Sequence, residues 1–172
     1  MEYVKLGKTG IEVSRLCFGG LIIGPLQSNL TVEEGSEVIA KALEMGVNFI
    51  DTAELYGTYA HIREGIKKSG KDAVIATKSY AYSAKGAEES LEKARKELDR
   101  DVIDLFLLHE QESRLTLRGH RDAFEYYISQ KEKGRIRAVG VSTHNVEVVE
   151  ACATMPGIDV VHPLVNKAGL GI

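Results

Sequence analysis

Four residues in this chain have side chains suited to moving a proton next to a carbonyl: Asp51, Tyr56, Lys78 and His109. A free tyrosine, with a pKa of about 10, is a poor proton donor at neutral pH. An adjacent ammonium favours the phenolate and lowers that value. A carboxylate beside the lysine keeps the lysine charged and in place, and a histidine opposite can hydrogen-bond a carbonyl oxygen. The set suits reduction of a carbonyl, with Tyr56 as acid and a nicotinamide as hydride source. Each residue alone has a plainer explanation: Asp51 as a turn former or helix cap, Lys78 as a surface lysine, His109 as a satisfied buried histidine.

What favours the collective reading is position. Asp51 ends the apolar run Asn48-Phe49-Ile50, and Lys78 follows Ala73 to Thr77. His109 follows Val102 to Leu108, broken only by Asp104, and Ser142 follows Ile136 to Val141. These endpoints recur about every 30 residues, the length of a strand plus a crossover helix. Each candidate therefore falls at the carboxyl end of a successive parallel strand, where barrel enzymes carry their catalytic groups.

The remaining elements follow from local pattern. Val4 to Leu6 and Ile11 to Val13 flank Gly7-Lys8-Thr9-Gly10 and predict a small hairpin. Leu16-Cys17-Phe18 is the first parallel strand. Gly19-Gly20 and Gly24-Pro25 then give a loop, read either as a turn or as close backbone approach to a ligand. Thr31 and Glu34 form a capping box ahead of an apolar stripe through Val38, Ile39, Ala42, Leu43 and Met45. Short helices are expected over His61 to Lys68 and along the Ala87, Leu91, Ala94, Leu98 face. A long loop carries Arg114, Arg118, His120 and Arg121. Helices over Asp122 to Lys133 and Val146 to Thr154 follow, and Ile158 to Val165 makes a sixth strand interrupted by Pro163. The pattern is a hairpin and then (βα)5β, an α/β arrangement with a parallel sheet. No GxGxxG follows a strand, which argues against a dinucleotide fold of the doubly wound type.

The totals narrow the setting. With 172 residues, 44% hydrophobic and 27% charged, the chain predicts one soluble domain over 1–172. A net charge of −3 carries no basic footprint for nucleic acid. No run reaches the roughly 18 apolar residues of a membrane span, and the start lacks the apolar core of a signal peptide. Cys17 and Cys152 form no CxxC pair, so neither a metal site nor a disulfide framework is expected, and a reducing cytoplasm fits.

Taken together, Lys5 to Gly10, Gly46 to Gly57, the Lys78 strand, Asp104 to His109 and Gly134 to Ser142 resemble the aldo/keto reductases. The resemblance runs along essentially the whole chain. It implies a (β/α)8 barrel and reduction of a small carbonyl substrate by NADPH, with NADH left open. Asp51, Tyr56, Lys78 and His109 match the family's tetrad, with Tyr56 as general acid/base. Gly20 and Leu21 match the loop near the nicotinamide, and Ser142 matches the serine that holds its carboxamide. Thr143 stands where the family often has Asn, and His162 where it often has Gln. His144 lies close by, either lining the pocket or exposed on its loop.

The chain reads as an incomplete (β/α)8 TIM barrel that stops after the sixth strand, without an iron–sulfur segment. Its two open sheet edges are expected to favour self-association. Two other readings stand beside reduction: a non-catalytic structural or regulatory relative working through protein partners, and an enzyme in which Lys78 forms a Schiff base.

Overall fold

The computed structural model describes residues 1–169. Strands β1 (Tyr3–Lys5) and β2 (Glu12–Ser14) form the antiparallel hairpin, with Val4 opposite Val13. Six further strands make one parallel sheet in chain order: β3 (Cys17–Gly19), β4 (Phe49–Asp51), β5 (Val74–Ser79), β6 (Ile103–Leu108), β7 (Ile136–Thr143) and β8 (Val160–Pro163). The crossovers run through α1 (Val32–Glu44), α2 (Tyr59–Ser69), α3 (Ala84–Leu98), α4 (Arg114–Gly119), α5 (Arg121–Glu132) and α6 (Val146–Thr154). The expected (βα)5β order is present, with one additional helix.

The sheet is curled rather than flat. Its two outer strands, β3 and β8, line one interior cavity of about 350 Å³ together with Phe49, Ala76, Leu105 and Leu107. The curl follows from strand twist accumulated over six strands. Gly140 permits the last step of it, because a Cβ there would lie 2.1 Å from the Val160 carbonyl oxygen.

Period-two alternation splits the buried residues into two sets. Phe106 and Leu108 of β6 face outward against Leu91, Leu98, Phe124 and Tyr127 of the helices. Leu105, with Ala76 and Ala138, faces inward against Ile11 and Val13, so the hairpin plugs the amino-terminal end of the curled sheet. The carboxyl end is left for the site.

The capping box at the start of α1 forms as the sequence implies, with Thr31 accepting from the Glu34 amide and Glu34 accepting from that of Thr31. Three expectations change. The segment read as a long loop carrying Arg114 and Arg118 is mostly helix α4, started by a capping box between Ser113 and Thr116. Leu117 is its one buried residue, so no apolar period announces it. Helix α2 begins at Tyr59, before His61, because Tyr59 and His61 are themselves buried. The sixth parallel strand is shorter than Ile158 to Val165. It runs from Val160 to Pro163, with the Leu164 amide still donating to the Thr143 carbonyl at 3.2 Å. Among the described residues, no helix is long and apolar enough to cross a membrane.

Candidate active site

Register brings the four candidate side chains to one end of the sheet. Asp51 ends β4 and pairs with Ala76, two residues before Lys78 on β5. Ser79 pairs with Leu108, so His109 emerges one step past β6 beside the end of β5. Tyr56 is reached by a tight detour after β4: a single 3-10 turn over Glu54–Tyr56, closed by Gly57 at φ +65°. The detour is clamped at its base by a 2.8 Å hydrogen bond between the Thr52 and Thr58 hydroxyls. From below, Gly24 seats against the Tyr56 carbonyl, where a Cβ would come within 2.5 Å. The close approach anticipated for the Gly24-Pro25 loop is therefore to the chain's own backbone.

Lys78 is 1% exposed. A lysine this buried needs partners for its charge and its three N–H groups. It finds them in Asp51 Oδ1 at 2.7 Å, Asp51 Oδ2 at 2.8 Å and the Thr52 carbonyl at 2.8 Å. The ammonium also lies 5.1 Å from the Tyr56 ring centroid. The Tyr56 hydroxyl lies 3.4 Å from His109 Nε2. All four candidates are thus in one connected cluster.

Its electrostatics differ from the sequence argument at one point. The Tyr56 phenol is pushed up to about 12 rather than lowered, first by burial and then by the charges of Asp51 and Glu110. Both carboxylate oxygens of Asp51 are committed to Nζ, so the ammonium reaches the phenol already neutralised. His109 is pushed down to about 4, first by burial and then by Lys78. At neutral pH the site therefore holds a protonated phenol, a neutral imidazole and an internally compensated ion pair.

These groups open onto a cavity of about 110 Å³ lined by Tyr56, Lys78, His109, Glu110, Ser142, His144 and His162, among others. Ser142, in β7, accepts from the Glu110 amide at 2.8 Å. His162 crosses from β8 to lie 3.6 Å from Asp51 Oδ1, and its pKa is lowered, chiefly by burial. It borders both the rim cavity and the interior one. His144 is exposed yet lines the rim. Three residues expected near a cofactor do not line this cavity. Thr143 is fully buried, its hydroxyl donating to the Gln111 carbonyl at 2.5 Å and accepting from the Asn145 amide at 2.9 Å. Gly20 packs against the Asp51 carbonyl, 3.0 Å from where its Cβ would stand. Leu21 sits in the 3-10 turn Gly20–Ile23 that follows β3.

Two residues at the rim escaped the sequence reading. Tyr80 stacks on the His109 ring, with centroids 4.4 Å apart, and its hydroxyl donates to Glu110. Period-two spacing from Lys78 was the available signal for Tyr80, and adjacency to His109 the signal for Glu110.

A sequence model of the aldo/keto reductase family matches residues 15–166. The chain belongs to the aldo/keto reductase family. Among its relatives, aldo-keto reductase YhdN of Bacillus subtilis is 31% identical over 183 residues, covering 96% of this chain and 54% of the relative. A protein of Arabidopsis thaliana named "Probable voltage-gated potassium channel subunit beta" is 29% identical, covering 97% and 54%. Among solved structures, the thermostable aldo-keto reductase Tm1743 superposes with a TM-score of 0.81 at 29% identity, over 96% of this chain and 63% of that one. The curled six-stranded sheet is therefore part of an aldo/keto reductase barrel wall. The chain spans about half the length of the curated relatives it matches.

Proposed function

We propose that this aldo/keto reductase chain carries the proton-transfer half of an NADPH-dependent carbonyl reduction, with Tyr56 as the proton donor. The observation that carries the reading is the buried Lys78–Asp51 pair set beneath a phenol that itself lies within 3.4 Å of His109 Nε2. The Tyr56 hydroxyl, protonated to about pH 12, gives its proton to the carbonyl oxygen as the alkoxide forms. His109, neutral down to about pH 4, donates Nε2–H to the same oxygen and orients it. Asp51 and Thr52 hold Lys78 under the ring, with Nζ 5.1 Å from its centroid, which fixes the floor of the site below the phenol.

The donor set at the rim fits the nicotinamide end of a cofactor. Ser142, whose Oγ accepts from the Glu110 amide, and the half-exposed His162 ring both line the cavity with Tyr56 and would present polar atoms to a carboxamide. When bound, a reduced nicotinamide supplies the hydride. The cavity of about 110 Å³ suits a small aldehyde or ketone. The two free thiols, Cys17 and Cys152, agree with a reducing cytoplasm.

The test is a titration of NADPH with the chain, read by the cofactor's own fluorescence since the protein has no Trp. A panel of small aldehydes then follows, with Tyr56→Phe as the control. Saturable binding and turnover above that control support the reading; equal rates in the two proteins refute it. A second reading is a non-catalytic relative acting through protein partners, in keeping with the name of the Arabidopsis relative. It predicts no turnover above Tyr56→Phe.

A further inference from the structure

His109 has two ring nitrogens, and among the described residues only one has a hydrogen-bond partner. Nε2 faces the Tyr56 hydroxyl at 3.4 Å, while the buried Nδ1 has no hydrogen-bond partner among the described residues. In most buried functional histidines a second hydrogen bond fixes the tautomer and the ring plane. Here that task falls to something else.

Two aromatic rings touch the imidazole. Tyr56 meets it edge-on, with centroids 5.5 Å apart and planes at 74°. Tyr80 covers one face, at 4.4 Å and 24°. Tyr80 stands one residue past the end of β5 and is 42% exposed, so its own ring has no tight packing to hold it. What holds it is the hydroxyl, which donates to Glu110 Oε2. Glu110 is held in turn: its backbone sits at φ +43°, and its amide donates to Ser142 Oγ at 2.8 Å. A continuous path therefore runs from β7 through Glu110 and Tyr80 to the face of His109. The same contact occupies the Glu110 carboxylate, which lines the cavity and is not paired with Lys78.

We propose that Tyr80, tethered by Glu110, is a positioning residue that sets the plane of the His109 imidazole and aims Nε2 at the Tyr56 hydroxyl. Its catalytic consequence rests on the reading of Tyr56 and His109 given above, but the clamp itself is a property of the folded chain. The charged and titratable groups around His109 are Lys78, Glu110, Asp51 and His162, with the Tyr56 phenol against Nε2. Removing the Tyr80 ring uncovers the imidazole and releases the Glu110 carboxylate beside it. Both changes favour the protonated form.

The test follows the ring resonances of His109 by heteronuclear NMR from roughly pH 3 to 9, spanning the ordinary histidine range. Wild type, Tyr80→Leu, Tyr80→Phe and Glu110→Ala are compared. In wild type His109 stays neutral down to about pH 4 with its proton on Nε2. In Tyr80→Leu the titration moves up by more than about one pH unit and the two tautomers mix. Tyr80→Phe keeps an aromatic ring but loses the tether, so it moves His109 up less than Tyr80→Leu does; Glu110→Ala loses the tether together with the carboxylate that raises His109, so it mixes the tautomers without an upward shift in the titration. An unchanged His109 titration and tautomer in a folded Tyr80→Leu chain overturns the proposal. If that variant does not fold, unchanged His109 behaviour in both Tyr80→Phe and Glu110→Ala does so.

Turnover provides the second arm. A misaimed imidazole lowers kcat by roughly 10- to 100-fold in Tyr80→Leu with a smaller change in KM. Should no protein in the series turn over above Tyr56→Phe, the proposed reduction fails while the NMR result still decides the clamp.

Discussion

The curled sheet carries two aspartates in ion pairs, one at each end, and they are built in opposite ways. At the carboxyl rim the cation is the buried partner: the Lys78 side chain is 2% exposed and that of Asp51 18%. Toward the amino end the acid is buried: the Asp104 side chain is 10% exposed and that of Arg137 47%. Asp104 accepts from the Ile75 amide at 3.0 Å and from Arg137 at 2.5 Å, so one carboxylate ties β5, β6 and β7 together. Asp51 instead gives both oxygens to a lysine that lies under a phenol. Arg137 keeps its head in water, so its pair is a strand staple with an inexpensive cation. Lys78 has no such outlet, and its charge is retained in the interior next to a cavity. The difference teaches where a barrel places stability and where it places chemistry.

The widest gap between the two pairs should appear in turnover. Tyr56→Phe is expected to lower kcat by about 100- to 10,000-fold while leaving NADPH binding in place, as loss of a positioned acid does. Asp104→Ala should leave the rate per folded molecule within a factor of about 3, since the staple touches none of the reacting groups. Steady-state assays on matched folded fractions check both.

In stability the order holds. Asp51→Ala strands a buried ammonium and is expected to cost about 3–5 kcal/mol. Asp104→Ala leaves one backbone N–H without its acceptor and frees a half-exposed arginine, for about 1–3 kcal/mol. Urea denaturation of the two variants measures the difference, and equal losses would break the distinction.

The rim should also carry a pH dependence through His109. Burial lowers His109 from 6.5 to about 4, so the unfolded chain takes up its proton first as pH falls. The stability contributed by neutral His109 is fully present above pH 6.5 and is lost as pH drops from 6.5 toward 4. His109→Gln should flatten that part of the profile of urea midpoint against pH. The smallest effect is expected far from either pair. Glu125→Gln breaks the exposed Arg121–Glu125 bridge and should leave the urea midpoint essentially unchanged in the same denaturation assay.

How much of this was readable beforehand depends on the kind of signal. The hairpin, the six parallel strands and helix α6 follow from apolar runs and turn residues at regular spacing, which are local properties. Helix α4 was not readable because a single buried leucine gives no period. Lys78, Asp51 and His109 could be placed at strand ends from spacing alone. Their mutual distances could not, because those depend on register between strands about 30 residues apart. The direction of the Tyr56 shift went the other way from the sequence argument for the same reason. Spacing brings an ammonium near the phenol but reveals neither the burial that raises the phenol most nor that both oxygens of Asp51 reach that ammonium first.

The sequence by itself therefore determined the order of elements, the end of the sheet where polar residues collect, and the family to which those residues belong. Each of these is written in runs of a few neighbouring residues. Only the tertiary structure decided that Thr143 turns into the interior while His162 crosses to Asp51, and that Tyr80 lies flat on His109. Side-chain direction at a strand end is set by what packs against it, and the partners come from other strands of the sheet.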